Sequence, residues 1–562
     1  MIPAFVQEAL DHQDAIKQCF DFCMNTPHLA GTTNGFDVPD GILPRELFAA
    51  VRLWDVHIQP YHFNLPSGKR AATIDQVYDH HAPTRLRIAR GMTFMTFRYL
   101  PTGEDLTAMP LWALKKFPDA APASSAANVL PDWAAYFTVP PDTTHTVMLS
   151  RKANGSAGHF RALRVRDTGD MRQDYVFLGG SKNYHCLVRD AHDFDTYAHL
   201  RQYNYAVAVL HACLETWHAL PDPAALFRFL DDRRLTLCLE YESPNDRHIE
   251  TVTTHAATIV VYAATCISAC LDAEWKYWCE PPRAILRELA DLGVHVIPYE
   301  TRRLAAPPAF TRVLPAILWD VKREYGTEGY VLYCLDTDGR VVGLLKAKTL
   351  WYSFLRMIRE RARNKLPMQK HVPALSNVVD LSASAKTAQA LARATATEPA
   401  TAQADTTIAT VTVQTEADRT TPSAAVKKSA QRSKADEATI RQLAAGIDGV
   451  QLKHEKPSKA SKRLDETYVS RLRGAMAKDG LSFPPKSAPA QAWFELAHAF
   501  GTFLNNTATE ADRALLHTDF PALWARFLDE TKLSDRIDTT ASPEPKAIVQ
   551  LRSGFAPSDE MP

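Results

Sequence analysis

The chain has 562 residues, of which 46% are hydrophobic and 23% are charged. Its 64 basic residues balance 64 acidic ones, which excludes a protein that coats nucleic acid through a general positive field. No apolar run reaches the roughly 20 residues needed to cross a bilayer, so no membrane association is expected. Nine cysteines without a Cys-x-x-Cys pair, and an N-terminal segment unlike a secretory leader, predict an intracellular protein.

Short strand-like runs and helical runs alternate irregularly over residues 1–365, within which residues 1–80 form an N-terminal subregion. An irregular mixture of this kind predicts an α+β domain and not a doubly wound one. Helices are predicted over residues 194–220 and 282–293. The predicted strands are, in chain order, residues 92–100, 146–150, 159–166, 175–180, 235–243, 258–264, 294–300, 329–335 and 341–348.

The composition changes after this domain. No aromatic residue occurs between Phe354 and Tyr468, and much of the interval is rich in Ala, Thr and Ser. Such a segment cannot bury enough apolar surface to offset the entropy of ordering, so residues 366–464 are predicted to be a disordered linker. Apolar residues at three- and four-residue spacing then predict a small all-α C-terminal module over residues 465–540, followed by a tail over residues 541–562.

A β-hairpin is predicted over residues 329–348, because two apolar strands flank an Asp-Thr-Asp-Gly turn. Glu328 opens the hairpin, and Lys346 and Lys348 lie two residues apart on its second strand. A spacing of two places both lysines on one face, where their ammonium groups repel each other unless an anion lies between them. This pattern predicts a phosphate site with a carboxylate able to hold a divalent metal. The alternative for an isolated Lys-x-Lys pair is a solvated strand face.

Lys152 follows a strand-like run and begins the turn Lys-Ala-Asn-Gly-Ser. A lysine in a buried turn among other cations is expected to have a lowered pKa, and it can then act as a neutral amine nucleophile. Alone, the pattern Lys-x-Asn-Gly is weak, because it also occurs by chance.

Glu240 lies within an otherwise apolar strand, where a carboxylate is costly to bury without a partner. Contact with a ribose hydroxyl or a metal is one interpretation. A structural salt bridge is the other, and this segment alone does not separate them.

The order of these motifs resembles that of the covalent nucleotidyltransferase superfamily, which comprises DNA ligases, RNA ligases and mRNA capping guanylyltransferases. Further elements are similar to those of its phage-type RNA ligase 1 group, and the resemblance covers about residues 90–352. The matching segments are Arg90-Gly-Met-Thr-Phe94, Lys115-Lys116-Phe117, Lys152-Ala-Asn-Gly-Ser156, Phe177-Leu-Gly-Gly-Ser-Lys182, Glu240-Tyr-Glu-Ser-Pro-Asn-Asp-Arg247, Glu328-Gly329 and Lys346-Ala-Lys348-Thr-Leu-Trp-Tyr352.

This resemblance implies an ATP-grasp-like ligase fold of antiparallel sheets and helices, and three nucleotidyl-transfer steps. Lys152 would attack the α-phosphate of ATP to form a lysyl-adenylate. The AMP would pass to a 5′-phosphate end of RNA, and a 3′-hydroxyl would then displace it. Lys346 and Lys348 would neutralise the α-phosphate, while Glu328 and Glu240 would hold Mg²⁺ or Mn²⁺. The nucleotide-binding set would be completed by Arg90, Lys116, Lys182 and Tyr352.

Other assignments stay open within the same superfamily. A DNA ligase or a capping guanylyltransferase would have a β-rich barrel after Lys348, whereas this sequence continues into a basic, helix-like stretch at residues 353–366. A catalytically inactive nucleic-acid-binding relative would not need to keep Lys152. Asn154 replaces the Asp that the group usually carries, as in the ligase domain of fungal-type tRNA ligases. This departure leaves the subgroup open more than the activity. RNA repair or tRNA processing is the setting that the resemblance implies.

The expected partner is RNA with 5′-phosphate and 3′-hydroxyl ends. The sequence lacks a kinase phosphate loop and paired His-x-Thr/Ser motifs, so a separate end-healing enzyme is expected, and the chain is expected to be a monomer. The histidines show no spacing typical of a metal site or triad. Which of Lys115 and Lys116 would contact phosphate is open. Residues 81–190 hold 14 basic and 9 acidic residues, and residues 341–370 hold 8 basic and 1 acidic, so positive charge is concentrated around the predicted site.

Overall fold

The computed structural model describes residues 2–30, 35–120, 132–243, 249, 256–305, 310–365 and 488–533. The chain divides into a first unit, Met1–Met368 with Asp465–Pro562, and a second unit, Gln369–Leu464. The second unit, which covers most of the predicted linker, lies outside the described residues, as does the predicted tail. All elements described below belong to the first unit.

The strands and helices are numbered in chain order. The strands are β1 (Phe36–Asp37), β2 (Phe48–Asp55), β3 (Met92–Tyr99), β4 (Glu104–Trp112), β5 (Thr146–Arg151), β6 (Ser156–Arg164), β7 (Tyr175–Ser181), β8 (His185–Val188), β9 (Leu235–Glu242), β10 (Thr258–Cys266), β11 (Tyr299–Arg303), β12 (Gly329–Leu335) and β13 (Val341–Lys348). The helices are α1 (Ala4–Asp11), α2 (Gln13–Asn25), α3 (Pro27–Ala30), α4 (Ile74–His80), α5 (Ala82–Arg87), α6 (Met171–Asp174), α7 (Asn204–His218), α8 (Pro223–Asp232), α9 (Ile267–Asp272), α10 (Pro282–Asp291), α11 (Phe310–Arg323), α12 (Leu350–Lys365), α13 (Ala488–Asn506), α14 (Glu510–Thr518) and α15 (Phe520–Thr531).

The strands form three antiparallel sheets, which confirms the predicted α+β class. Their strand orders are β1-β2-β3-β4, β10-β9-β6-β7-β8 and β11-β5-β12-β13. The first and second sheets share a core in which Phe5 and Phe97 pack with Leu178 and Leu187. The second and third sheets share another core, and the Tyr333 hydroxyl donates a hydrogen bond of 2.9 Å from β12 to a carbonyl of β10. The second sheet is therefore covered on both faces, which explains the continuous apolar runs of its strands.

The predicted hairpin of β12 and β13 is present. Its register pairs Gly329 with Lys348 and Val331 with Lys346. At the turn, Gly339 has a φ of +79°, a conformation that favours glycine. Because β5 pairs with the other edge of β12, the end of β5 lies beside the end of the hairpin that carries the two lysines.

Two element predictions differ from the structure, and four strands were not predicted. The predicted helix over 194–220 begins only at α7, since the Tyr197 hydroxyl bonds the backbone of Leu187 and holds the preceding segment in two short 3₁₀ turns. The predicted strand over 294–300 is only partly present: Val296 forms an isolated bridge with Val261 of β10, and continuous strand pairing begins at β11, after Pro298, which has no N–H to donate. Strands β1, β2, β4 and β8 were not predicted, and β4 carries Pro110 within it.

The C-terminal helices pack against α12. The Arg363 guanidinium donates to the carbonyls of Leu516 and His517 at 2.9 and 3.0 Å, and the rings of Trp351 and Trp524 lie 5.9 Å apart. The predicted module limits at residues 465 and 540 lie outside the described residues. No helix in the part of the chain that the structure describes is long and apolar enough to span a membrane.

A buried ion pair joins α1 to the second sheet and gives a prediction about stability. Arg161 donates to Glu8 at 2.9 Å and to the Pro110 carbonyl at 2.9 Å, and the two charged side chains are 1% and 3% exposed. Glu8→Ala leaves the guanidinium buried without its carboxylate and should lower the free energy of unfolding by about 3–5 kcal/mol. Urea unfolding measures this. Glu46→Ala, which breaks an exposed pair with Arg166, is the control and should cost less than about 1 kcal/mol.

Candidate functional site

A cavity of about 280 Å³ opens between the second and third sheets. Strands β5, β6, β9, β10, β12 and β13 all contribute to its wall, together with the segment that follows β4 and the turn between β7 and β8. Six of the nine predicted site residues line this cavity. They are Arg90, Lys116, Lys152, Lys182, Glu240 and Lys346.

Lys152 begins the tight turn that joins β5 to β6. Its backbone N–H donates to the Gly329 carbonyl at 2.8 Å, which fixes the turn beside β12. The Gly155 N–H donates to Glu240 Oε1 at 3.1 Å, so a carboxylate of β9 holds the other end of the turn. A Cβ on Gly155 would lie 2.3 Å from the Tyr241 carbonyl oxygen. The turn sequence Lys-Ala-Asn-Gly-Ser therefore needs its glycine for a close backbone approach.

The Lys152 ammonium is paired with carboxylates. Its Nζ lies 3.0 Å from Glu328 Oε2, and the two side chains are 25% and 8% exposed. Burial acts to lower the pKa of Lys152, but the charges of Glu240 and Glu328 outweigh burial and raise this pKa above its usual value. The expectation of a lowered pKa is therefore wrong. The sequence suggested cationic neighbours, whereas the groups that act most strongly on the amine are acidic.

Lys346 and Lys348 lie on one face of β13, as predicted from their spacing. Both ammonium groups are near one carboxylate, since Asp119 Oδ1 lies 3.8 Å from Lys346 Nζ and 3.4 Å from Lys348 Nζ. The backbone places Asp119 there, because the Pro118 carbonyl accepts the Lys346 N–H at 2.9 Å. Burial, together with Lys116, lowers the pKa of Lys346 to about 7 despite the opposing effect of Asp119.

The structure separates the two neighbouring lysines after β4. Lys115 donates to the Trp275 carbonyl at 2.9 Å, and its ammonium lies 4.8 Å from the centre of the Trp278 ring. Lys116 donates instead to Asp75 of α4. Asp75 also interacts electrostatically with Arg90, so residues 1–80 contribute a carboxylate to this side of the cavity.

Arg90 and Lys182 complete the basic wall. The Arg90 Nε is buried in this wall and has no hydrogen-bond partner within the described residues. Burial, with smaller contributions from Arg90 and Lys116, lowers the pKa of Lys182 to about 8. Arg90 and Lys182 thus add two cations to the concave site that also holds Lys116 and Lys346, an arrangement suited to an anion with several negative charges.

Tyr352 lies at the start of α12, close to the lysine turn. Its backbone N–H donates to Thr349 Oγ1 at 3.0 Å. Burial, followed by the charge of Glu328, raises the pKa of Tyr352 to about 12, so its hydroxyl stays protonated at neutral pH. The phenol is thus positioned near the pair formed by Glu328 and Lys152.

The two predicted metal ligands, Glu328 and Glu240, both lie beside Lys152. No group of three or more His, Cys, Asp or Glu side chains with metal-site geometry occurs in the described ranges. Two carboxylates nevertheless fit Mg²⁺, which commonly keeps several waters and binds one or two protein carboxylates plus substrate phosphates. The oxygen donor set is suitable for this hard cation and not for a metal that prefers sulfur or nitrogen.

Sequence reasoning did not identify three carboxylates of the site. They are Asp75, Asp119 and Glu242, the last of which accepts the Asn154 N–H at 3.1 Å. The segment Lys-Lys-Phe-Pro-Asp already contains Asp119 beside the predicted phosphate-contacting lysine. That proximity was the only sequence signal for it, whereas nothing in the sequence near Asp75 points to the site.

The lowered pKa values predict how anion binding depends on pH. Lys346 and Lys182 have pKa values of about 7 and about 8, so both are charged below pH 7 and lose charge as pH rises through these values. Inorganic tripolyphosphate should therefore bind at least about tenfold more weakly at pH 9 than at pH 7. Calorimetric titration measures this. Tripolyphosphate itself gains negative charge over this range, which alone would strengthen binding, so a fall in affinity reports the loss of lysine charge. Lys346→Gln should flatten the curve. Wild-type affinity that rises with pH would contradict the prediction.

No protein-family model matches the chain. No curated protein matches it either. Among solved structures, an archaeal ATP-dependent RNA ligase is similar to the chain with a TM-score of 0.29 and 14% sequence identity. This similarity covers 50% of the present chain and 61% of the archaeal one, which is less than two thirds of that protein.

Proposed function

We propose that the chain is an ATP-dependent RNA ligase that joins 5′-phosphate and 3′-hydroxyl ends through a lysyl-adenylate. One observation supports this most directly. The Lys152 amine lies in a cavity with two carboxylates beside it and with Arg90, Lys116, Lys182 and Lys346 in the wall. A nucleophilic amine, a cationic wall and a pair of hard oxygen ligands are the groups that nucleotidyl transfer from a triphosphate requires.

In the first step, the Lys152 ammonium must release a proton to solvent, because its pairing with Glu240 and Glu328 keeps it charged until the site is loaded. The neutral amine then attacks the α-phosphorus of ATP, an N–P bond forms, and the bond to pyrophosphate breaks. Lys346 and Lys348 neutralise the charge on the α-phosphate as it develops, and the phosphate takes the place of Asp119 as their partner. Arg90, Lys116 and Lys182 hold the departing pyrophosphate.

Glu328 and Glu240 would hold Mg²⁺ or Mn²⁺. When bound, this cation supplies Lewis-acid stabilisation of phosphate charge. Glu328 is thus proposed to have two tasks, since its carboxylate also pairs with the Lys152 ammonium. Tyr352 stays protonated beside it and is proposed to act as a hydrogen-bond donor at the phosphate end of the cavity.

In the second and third steps, the AMP moves from Lys152 to a 5′-phosphate of RNA, and a 3′-hydroxyl then displaces AMP to form the phosphodiester. The element that follows β13 favours this assignment within the superfamily. A DNA ligase or a capping enzyme would continue into a β-barrel, whereas residues 350–365 form the single helix α12, which carries Arg356 and Arg359. The cations of α12 extend the basic wall in sequence beyond Lys348, as a polyanionic strand requires.

A substrate panel tests the proposed function. The panel contains 5′-phosphorylated single strands, a cleaved stem-loop and a nicked duplex, each in an RNA and a DNA version. With ATP and Mg²⁺, joining of RNA ends should exceed joining of the matched DNA ends. Preferential sealing of the nicked DNA duplex would overturn the assignment in favour of a DNA ligase.

A further inference from the structure

A chain of three buried polar side chains connects the first sheet to the cavity. Asp55 Oδ1 lies 2.8 Å from His185 Nδ1, and His185 Nε2 lies 3.1 Å from His159 Nδ1. The Thr93 hydroxyl donates to Asp55 Oδ1 at 2.7 Å, and the backbone N–H of His185 donates to Asp55 Oδ2 at 3.2 Å. His159 lines the cavity, so the chain ends at the proposed ATP site. We call these three residues the Asp55–His185–His159 relay.

The sequence spacing of the histidines gave no sign of this arrangement, because 26 residues separate His159 from His185 and 130 separate His185 from Asp55. All three residues are buried: His159 and His185 are each 1% exposed, and Asp55 is 6% exposed. Gly91 provides the space for His159, since a Cβ there would lie 2.1 Å from the imidazole. The proposed mechanism above uses none of these three groups, although burying them has a cost that a ligand-linked role would explain.

The charges around the relay favour a neutral His159 in the structure. Burial, followed by His185 and Lys182, lowers the pKa of His159 well below 6.5. His185, which lies behind His159, is faced by Asp55 at the end of β2 and by His57, which follows β2. A polyphosphate bound at Arg90, Lys116 and Lys182 would reverse this balance, because its negative charges offset that of Lys182 and favour an imidazolium. Asp55 stabilises the extra proton through a charge-assisted hydrogen bond to His185.

We propose that the Asp55–His185–His159 relay takes up a proton when the polyphosphate of ATP enters the cavity, so that His159 becomes an additional cation of the binding site. The inference rests on the proposed function in taking ATP as the ligand. His159 would contact the polyphosphate, while His185 and Asp55 are positioning residues that act through it. The site would thus gain positive charge at His159 only when the anion is present.

Proton uptake is measured by calorimetric titration in buffers of different ionisation enthalpy. The probe is an ATP analogue with a methylene group between the α- and β-phosphorus, which cannot adenylylate Lys152. At pH 6.0, Lys346 and Lys182 are already charged, since their pKa values are about 7 and about 8. At this pH the wild-type protein should take up about one proton more than His159→Gln on binding the analogue.

Two further variants sharpen the result. Asp55→Asn keeps His159 in place but removes the charge behind it, so its proton uptake should fall towards that of His159→Gln, and it provides the test if His159→Gln does not fold. His145→Gln, outside this cavity, should behave as the wild type. Equal proton uptake by the wild type, His159→Gln and Asp55→Asn would overturn the relay while leaving the ligase proposal intact. Failure of the wild type to bind the analogue would overturn both proposals.

Discussion

Replacement of Lys152 by alanine should abolish the transfer of label from α-³²P-ATP to the protein, with a loss of at least about 1,000-fold. The reason is that the Lys152 amine is the proposed nucleophile, and the structure pairs it with Glu328 at 3.0 Å and places the charge of Glu240 beside it. The label is measured after denaturing electrophoresis. Because the proposed bond is a phosphoramidate, it should survive alkali and be released by acid.

Lys152→Arg is the matched variant for this experiment. Its guanidinium keeps a positive charge opposite the buried Glu328 but cannot act as a nucleophile at neutral pH, so labelling should be lost while the urea midpoint stays near that of the wild type. Lys69→Ala, an exposed lysine outside the cavity, should label normally. Alkali-stable labelling of Lys152→Ala would contradict the assignment of the nucleophile.

Replacement of Lys346 by alanine should slow adenylylation by about 100- to 1,000-fold at saturating ATP. Its ammonium lies in the cavity wall, and burial has already lowered its pKa to about 7, so it is a desolvated cation placed for an anion. Such a charge stabilises a transition state more strongly than a hydrated one, because little water screens it. The rate is measured by quenched-flow formation of the labelled protein.

Two variants on the same hairpin separate a catalytic effect from a structural one. Lys346→Arg should restore part of the rate, since it returns a cation to the same strand position. Arg340→Ala, in the exposed hairpin turn, should leave the rate unchanged. The folded state should tolerate Lys346→Ala because Asp119 keeps Lys348 as a partner. Adenylylation at the wild-type rate by Lys346→Ala would show that this lysine is a bystander.

The local parts of the site were predictable from the sequence. The two-residue spacing of Lys346 and Lys348 sets their common face through strand geometry alone, and the Asp-Thr-Asp-Gly turn defines the hairpin that presents them. The turn after β5 was predictable for the same reason, because Gly155 permits a close approach that a Cβ would prevent. These features depend on residues that are neighbours in the chain.

The electrostatics of the site were not predictable in this way. Lys152 was expected among cations, but Glu328 and Glu240 are 176 and 88 residues away in sequence and reach it only through the pairing of β5 with β12 and of β6 with β9. Asp75 and Asp119 are also brought in by tertiary structure. The direction of a pKa shift depends on which charges are close in space, and no local pattern supplies this information.

The central claim, that the chain transfers AMP from a lysine to RNA and then joins the RNA, is tested most directly by a chase experiment. Protein labelled with α-³²P-ATP is freed of nucleotide and mixed with RNA that carries a 5′-phosphate and a 3′-hydroxyl. The proposed function predicts that label moves from the protein to the RNA 5′ end and then appears as free AMP while joined RNA accumulates. Label that stays on the protein, or that remains on the RNA as a stable cap without joining, would contradict it.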